Sequence, residues 1–396
     1  MIRPAQIADA ARDEQFMHQA LDLARQGMGL ASPNPYVGAV IVDAQGSIAG
    51  KGVYTYEGVK HAEVLALEAA GNSARGGTLY INLEPHSHHG RTPPCTDALI
   101  AAGIHRVVAS IPDPNPKVSG QGFEKLRAAG IHVEVGRLET EARRLNESFA
   151  RYIRHGVPLV TLKAAMTLDG KIAPPPTAAF NREAGTPPGG WITGEAARAH
   201  VHEQRHENDA ILVGIGTILS DDPLLTDRSG HPRRRPLLRV VLDSQLRLPL
   251  GSRLVQSVAN AGTGEKDVLV FSSSGEEKKK KELEACGIRI EELPVTPSSP
   301  RPDIHAVLRR LGELDTTSVM VEGGATVNGT ALASSAVDKV FLYYAPKILA
   351  CNGSTPFASG TDFLEIYDAP QVKHLQLHRF EEDFAVEGYL RNPYDD

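Results

Sequence analysis

From residue 14 onward the chain alternates short apolar runs with helical segments, and that rhythm restricts it to layered α/β architectures. Phe16, Met17, Ala20, Leu21, Ala24 and Met28 recur at helical spacing, and an apolar run at 37–42 follows, bounded by glycine. A helix is predicted at 62–70, a strand at 78–83, a helix at 94–102, strands at 106–110 and 131–135, and a helix at 123–129 between them. A polar helix around 139–157 interrupts the pattern, which restarts at Leu159. Strands are then expected at 159–165, 209–213, 237–242, 267–271, 318–321 and 339–344. With 396 residues the chain is too long for one ordinary core. Two domains are therefore expected, 14–150 and 158–396. Residues 173–190, rich in proline and glycine, read as a long surface loop.

Composition narrows the function classes. Hydrophobic residues make up 41% and charged residues 23%, as in water-soluble globular proteins. A net charge of −6 and no basic–aromatic stripe argue against a nucleic-acid partner. No apolar run is long enough to span a bilayer, and the first residues do not read as a secretory signal, so no membrane partner is expected. The three cysteines, Cys95, Cys286 and Cys351, are too few and too scattered for a disulfide framework, which predicts a reducing, cytoplasmic setting. The four lysines at 278–281 read as a solvated helix face rather than a phosphate patch. A homo-oligomer is left open.

The most informative stretch starts at His61-Ala62-Glu63 and runs on to Pro93-Pro94-Cys95. Hydrolytic deamination needs a strong nucleophile at neutral pH and a group that carries its proton to the leaving ammonia. Zinc on three protein ligands lowers the pKa of water to about 7, and a carboxylate off the metal moves the proton. His-x-Glu at a helix start offers a ligand in His61 and a proton carrier in Glu63. Cys95 follows two prolines at the start of the next helix, where thiolate character is favoured. Zinc deaminases carry H-x-E followed by P-C-x-x-C, and this chain matches that signature as far as its first cysteine.

The loop Leu83-Glu84-Pro85-His86-Ser87-His88-His89-Gly90-Arg91-Thr92-Pro93-Pro94-Cys95 resembles the deaminase domain of the bifunctional riboflavin biosynthesis RibD family, with His86 in place of the family's first cysteine. The resemblance implies zinc on His61, His86 and Cys95, since imidazole is an ordinary zinc ligand. Ser32-Pro33-Asn34-Pro35-Tyr36-Val37-Gly38 is similar to another family motif and implies that Asn34 meets the pyrimidine; by itself Asn34 reads equally as a turn residue. His88, His89 and Arg91 are implied as substrate contacts, Arg91 suiting a phosphate. The run Asp113-Pro114-Asn115-Pro116 followed by Gly120-Gln121-Gly122 also looks like the family.

In the second half, Val321-Glu322-Gly323-Gly324-Ala325-Thr326 runs from a strand into paired glycines and a helix, a junction that can cradle phosphate. Val213-Gly214-Ile215-Gly216-Thr217 is a weaker signal of the same kind, and neither fits a Rossmann fingerprint. Residues 158–390 resemble the RibD reductase domain, which has the dihydrofolate reductase fold. The matching runs are Leu162-Lys163-Ala164, Leu168-Asp169-Gly170-Lys171, Trp191-Ile192-Thr193-Gly194, Asp221-Asp222-Pro223-Leu224-Leu225-Thr226, Val241-Leu242-Asp243-Ser244, Glu322-Gly323-Gly324 and Ala345-Pro346-Lys347. The fold class expected is thus α/β, a cytidine-deaminase-like α/β/α domain followed by a dihydrofolate-reductase-like α/β domain. The resemblance implies NADPH at Ala165, Trp191, Thr217, Asp221, Ser244, Gly324, Ala325 and Thr326. It implies substrate at Arg205, Leu225, Arg228 and Glu322, with Asp221 and Lys163 managing protons and charge. Read alone, Trp191 suits a core, Asp222-Pro223 a capping turn and Arg205 a solvated helix.

The implied activity is deamination of 2,5-diamino-6-ribosylamino-4(3H)-pyrimidinone 5′-phosphate, then NADPH-dependent reduction of the ribosyl group to ribityl. One rival keeps only the reductase, its deaminase-like partner inactivated at His86. Another is a nucleic-acid-editing deaminase, which the acidic balance disfavours.

Overall fold

The apolar run after Val37 becomes a strand, Gly38–Val42, in which every residue is buried, as an interior strand covered on both faces requires. In this computed structural model the described residues are 4–88, 93–175, 190–259, 266–296, 299–360, 363 and 365–395. Gly38–Val42 pairs antiparallel with Ile48–Val53 on one side and with Thr78–Leu83 on the other. Arg106–Ile111 and His132–Val135 extend the sheet in parallel to five strands. Helix Pro4–Arg25 packs on it through Met17, Ala20, Leu21 and Ala24, all fully buried.

Ile48–Val53 escapes the sequence reading because Gly50 and Gly52 give it little strand character. Those glycines serve a close approach. A Cβ on Gly50 would stand 2.1 Å from the Ala66 carbonyl oxygen, and one on Gly52 2.0 Å from that of Ala62. Helix Ala62–Ala70 therefore lies directly on the strand's backbone.

Residues Gly156–His231 and Arg235–Asp395 make up a second compact unit, the first comprising the chain up to His155 with Pro232–Arg234. Its nine-stranded sheet runs Arg289–Glu292, Val268–Ser272, Leu238–Leu242, Ala210–Gly214, Ser318–Val321, Leu159–Thr167, Lys339–Ala345, Asp383–Tyr389, Lys373–Phe380. The first seven are parallel; Asp383–Tyr389 pairs antiparallel with the seventh, and Lys373–Phe380 antiparallel with it in turn. Each strand expected from the sequence lies within two residues of its place. Edge strand Arg289–Glu292 and the C-terminal hairpin are not foreseen by the sequence, because charged residues break their alternation: Arg289–Glu292 reads Arg-Ile-Glu-Glu, and Lys373–Phe380 has an exposed, mixed face. The lysine run lies in helix Glu277–Ala285, where Lys280 pairs with Glu292 and Lys281 with Glu277, a solvated face. Among the described residues no helix is long and apolar enough to cross a membrane.

The glycine contact yields a test. Gly52→Ala forces its new methyl against the Ala62 carbonyl, so helix Ala62–Ala70 must lift. An overpacking cost of about 1–3 kcal/mol is expected, read as a lower urea midpoint with an unchanged slope. An unchanged midpoint would show that the helix does not rest on this strand.

Candidate active sites

In the first unit two helix starts meet. His61 is the N-cap of helix Ala62–Ala70, and Cys95 is the first residue of helix Cys95–Ala102. Helix starts leave amide groups unpaired and carry a positive dipole end, so both side chains sit where electron-rich donors are favoured. His61 Nδ1 and Cys95 Sγ come within 3.1 Å. Glu63, in the first turn and buried, joins them in a group whose donor atoms all lie within 4.8 Å of one another. Burial pushes the Glu63 carboxyl above its ordinary range, with only partial opposition from His61. Burial likewise pushes the Cys95 thiol up, and the neighbouring Glu63 adds to it. A cation there would reverse both effects. One imidazole nitrogen and one sulfur suit zinc.

His86 is not part of that converged group among the described residues. Its ring lies edge-on to His61 at 5.1 Å between centroids, while its Nε2 faces Nε2 of His88 at 3.0 Å. Asn34 donates through Nδ2 to the Tyr54 hydroxyl at 2.5 Å, and the Tyr54 ring stands edge-on to His61 at 5.6 Å. His88 is exposed. His89 and Arg91 lie outside the described residues.

A residue given no role from sequence, Glu84, shapes this site. Its buried carboxylate accepts backbone N–H groups from Asp113 (2.9 Å), Gly120 (2.8 Å) and Gly122 (2.7 Å). The family-like run at 113–122 is thereby fastened beside the His86 loop. Burial, with Glu84 nearby, raises Asp113 to about 6. Only the phrase Leu-Glu-Pro hinted at Glu84, and no local pattern reveals a bond to amides about thirty residues away.

The second unit holds a cleft of about 1280 Å³ at the carboxyl ends of its parallel strands, where open α/β sheets take their ligands. All the residues implied for the cofactor line it: Ala165, Trp191, Thr217, Asp221, Ser244, Gly324, Ala325 and Thr326. So do Lys163, Arg205, Leu225, Arg228 and Glu322. Trp191 stands 51% exposed and belongs to no core. Gly324 caps helix Ala325–Ala333, and a Cβ there would meet nothing within 4 Å, so its amide end is open to a ligand. Asp221 ends the short helix Ile215–Asp221 that carries Thr217, its carboxylate bonded to the Ser220 hydroxyl.

Strand register assembles the charged centre. Val321 pairs with Leu162, so Glu322 and Lys163 emerge side by side, 3.3 Å apart. Arg205 closes the triad with two bonds to Glu322, at 2.7 and 3.0 Å, and a third to the Thr226 carbonyl at 3.0 Å. Burial alone would raise the Glu322 carboxyl, but the charges and hydrogen bonds of Arg205 and Lys163 prevail and hold it down at about 2. Arg205 is thus not a solvated helix residue. Arg228 donates to the Thr226 hydroxyl at 3.2 Å.

Because the folded carboxyl sits at about 2 against an ordinary 4.5, the triad's stabilisation is full above pH 4.5 and fades as pH falls toward 2. Glu322→Gln strands two buried cations and is expected to cost about 3–5 kcal/mol at neutral pH. Denaturation across that pH range should show the difference from wild type shrinking with acid. A difference independent of pH would contradict the triad.

Comparison with known proteins accounts for both units. The family model "RibD C-terminal domain" matches residues 158–386, and "Cytidine and deoxycytidylate deaminase zinc-binding region" matches 10–111. The riboflavin biosynthesis protein RibD of Bacillus amyloliquefaciens is 38% identical over 385 residues, 97% of this chain and 98% of that protein. The crystal structure of Acinetobacter baumannii RibD superposes with a TM-score of 0.79 at 33% identity, covering 96% of this chain and 99% of that one. A Thermotoga maritima structure described as a diaminohydroxyphosphoribosylaminopyrimidine deaminase/5-amino-6-(5-phosphoribosylamino)uracil reductase gives 0.77 at 36% identity, with the same coverage. Sharing both domains and the full span of these relatives, the chain belongs to the RibD family of bifunctional deaminase–reductases of riboflavin biosynthesis.

Proposed function

We propose that the first unit removes the 2-amino group of 2,5-diamino-6-ribosylamino-4(3H)-pyrimidinone 5′-phosphate and that the second reduces the ribosyl group to ribityl. The single observation that carries the first step is the meeting of His61, Cys95 and Glu63 at two helix starts. His61 and Cys95 would hold a zinc ion, and His86, whose ring stands beside that of His61, would be its third ligand. Zinc supplies a nucleophile at neutral pH and NADPH supplies a hydride. Glu63, buried and with its carboxyl pKa raised, passes a proton first to a ring nitrogen and then to the departing amine. Asn34, steadied by Tyr54, orients the pyrimidine edge. His88, His89 and Arg91 contribute to holding the substrate.

For the second step the cleft's volume and its open Gly324 cap support a dinucleotide. Lys163 keeps positive charge beside the reacting sugar, and Arg205 and Arg228 face its phosphate. Asp221 manages a proton at the cleft wall. A second reading has the reductase alone active, and the 3.0 Å contact that holds His86 against His88 favours it.

Ammonia release from the diamino substrate, followed with and without NADPH, separates these readings. Wild type is expected to release ammonia, and Glu63→Gln to lose at least about a hundredfold in rate while keeping one zinc per chain. If wild type releases no more ammonia than Glu63→Gln yet oxidises NADPH with the deaminated substrate, the reductase-only reading stands.

A further inference from the structure

Trp191 is the chain's one tryptophan, and the segment it begins is held from three directions. Lys347 Nζ donates to the Trp191 carbonyl at 3.0 Å and to the Ile192 carbonyl at 2.6 Å. Arg198 Nη1 donates to the Thr193 carbonyl at 2.6 Å, and Asp383 Oδ2 accepts the Gly194 N–H at 2.6 Å. The segment then enters helix Glu195–Glu207. The Arg198 guanidinium carbon stands 4.9 Å from the indole centroid, over its face.

Lys347 is itself well anchored. It lies just past the end of strand Lys339–Ala345, where its N–H bonds to the Ala345 carbonyl at 2.7 Å and its own carbonyl accepts Leu168 N–H at 2.8 Å. Among the described residues no carboxylate lies within 4.0 Å of its ammonium. Among the described residues two carbonyl dipoles, rather than a counter-ion, hold the charge, and they belong to Trp191 and Ile192, both of which line the cleft.

We infer that Lys347 is a positioning residue of the reductase. By pinning the backbone of Trp191 and Ile192 it sets the indole, backed on one face by Arg198, as a platform on which a flat ring of the nicotinamide dinucleotide stacks. The inference rests on the proposed reading of the cleft as a dinucleotide site. An indole with one face taken by a guanidinium presents the other to an incoming ring, and an aligned aromatic pair adds to binding beyond its buried area. That gain requires the platform to be in place before the ligand arrives. Lys347 suits the task because a compact ammonium can serve two adjacent carbonyls at once.

The single tryptophan makes the idea measurable in the full chain without any assay of turnover. Wild type, Lys347→Met and Lys347→Arg are compared by the anisotropy of Trp191 fluorescence without ligand, and by quenching of that fluorescence during titration with NADPH. Circular dichroism confirms that each variant is folded. Lys347→Met is expected to lower the anisotropy and to weaken NADPH binding about tenfold, equivalent to about 1.4 kcal/mol, with Lys347→Arg restoring most of both. Arg198→Ala, which strips the guanidinium from the ring, is expected to lower the anisotropy as well. An anisotropy or an NADPH Kd in Lys347→Met equal to that of wild type would overturn the role of Lys347. NADPH that leaves wild-type Trp191 emission unchanged would instead overturn the reading of the cleft.

Discussion

Everything at the first site depends on how closely a helix can approach a strand. Gly50 and Gly52 let the carbonyls of Ala66 and Ala62 come down onto the sheet at distances where a methyl group could not stand. That approach fixes the helix start, and with it His61, 3.1 Å from the thiol that opens the next helix. Neither donor is held by a local turn. His61 is placed by its helix packing on the sheet and Cys95 by a buried helix start packed against that helix, so the site inherits the rigidity of the core rather than the mobility of a loop. Glu63 is buried by the same packing, which explains why its proton is held more firmly than an exposed carboxyl would hold it.

The second unit reaches a comparable end by strand register. Adjacent parallel strands put Lys163 and Glu322 at the same level, and a helix brings Arg205 across to complete the charge pattern. The buried carboxylate stays ionised because two cations face it, and each cation is in turn kept from wandering. Gly216 and Gly324, just past the ends of neighbouring strands, stand open beside this centre, so the charged triad and two uncrowded helix starts share one cleft.

Much of this was legible in the sequence because the chemistry sits at strand ends. Period and glycine mark those ends, and the residues just beyond them, Ser244, Glu322 and Thr217, line the cleft, together with Lys163 from within its strand. What stayed hidden involves partners far apart in the chain. Lys347 grips the backbone of Trp191 from 156 residues away, and Glu84 binds three amides of a loop that begins at Asp113. Neither leaves a periodic trace, since a side chain bonded to a distant carbonyl or amide looks in sequence like any surface charge. The tryptophan shows the complementary limit: read alone it suits a core, the resemblance implies a ligand site instead, and the fold leaves it half-exposed among the residues that line the cleft. The strand with Gly50 and Gly52 was missed because the same glycines that admit the helix erase the apolar alternation.

His86, standing where the resemblance to the family implies a cysteine, bears most directly on the proposed first site, because the proposed ligand set includes it while His61, Glu63 and Cys95 come together without it. X-ray absorption at the zinc K-edge of the purified protein reads that set atom by atom. The account expects one sulfur at about 2.3 Å and two imidazole nitrogens at about 2.0 Å, completed by a light oxygen scatterer. A spectrum with a single imidazole, or with no sulfur at all, would contradict it.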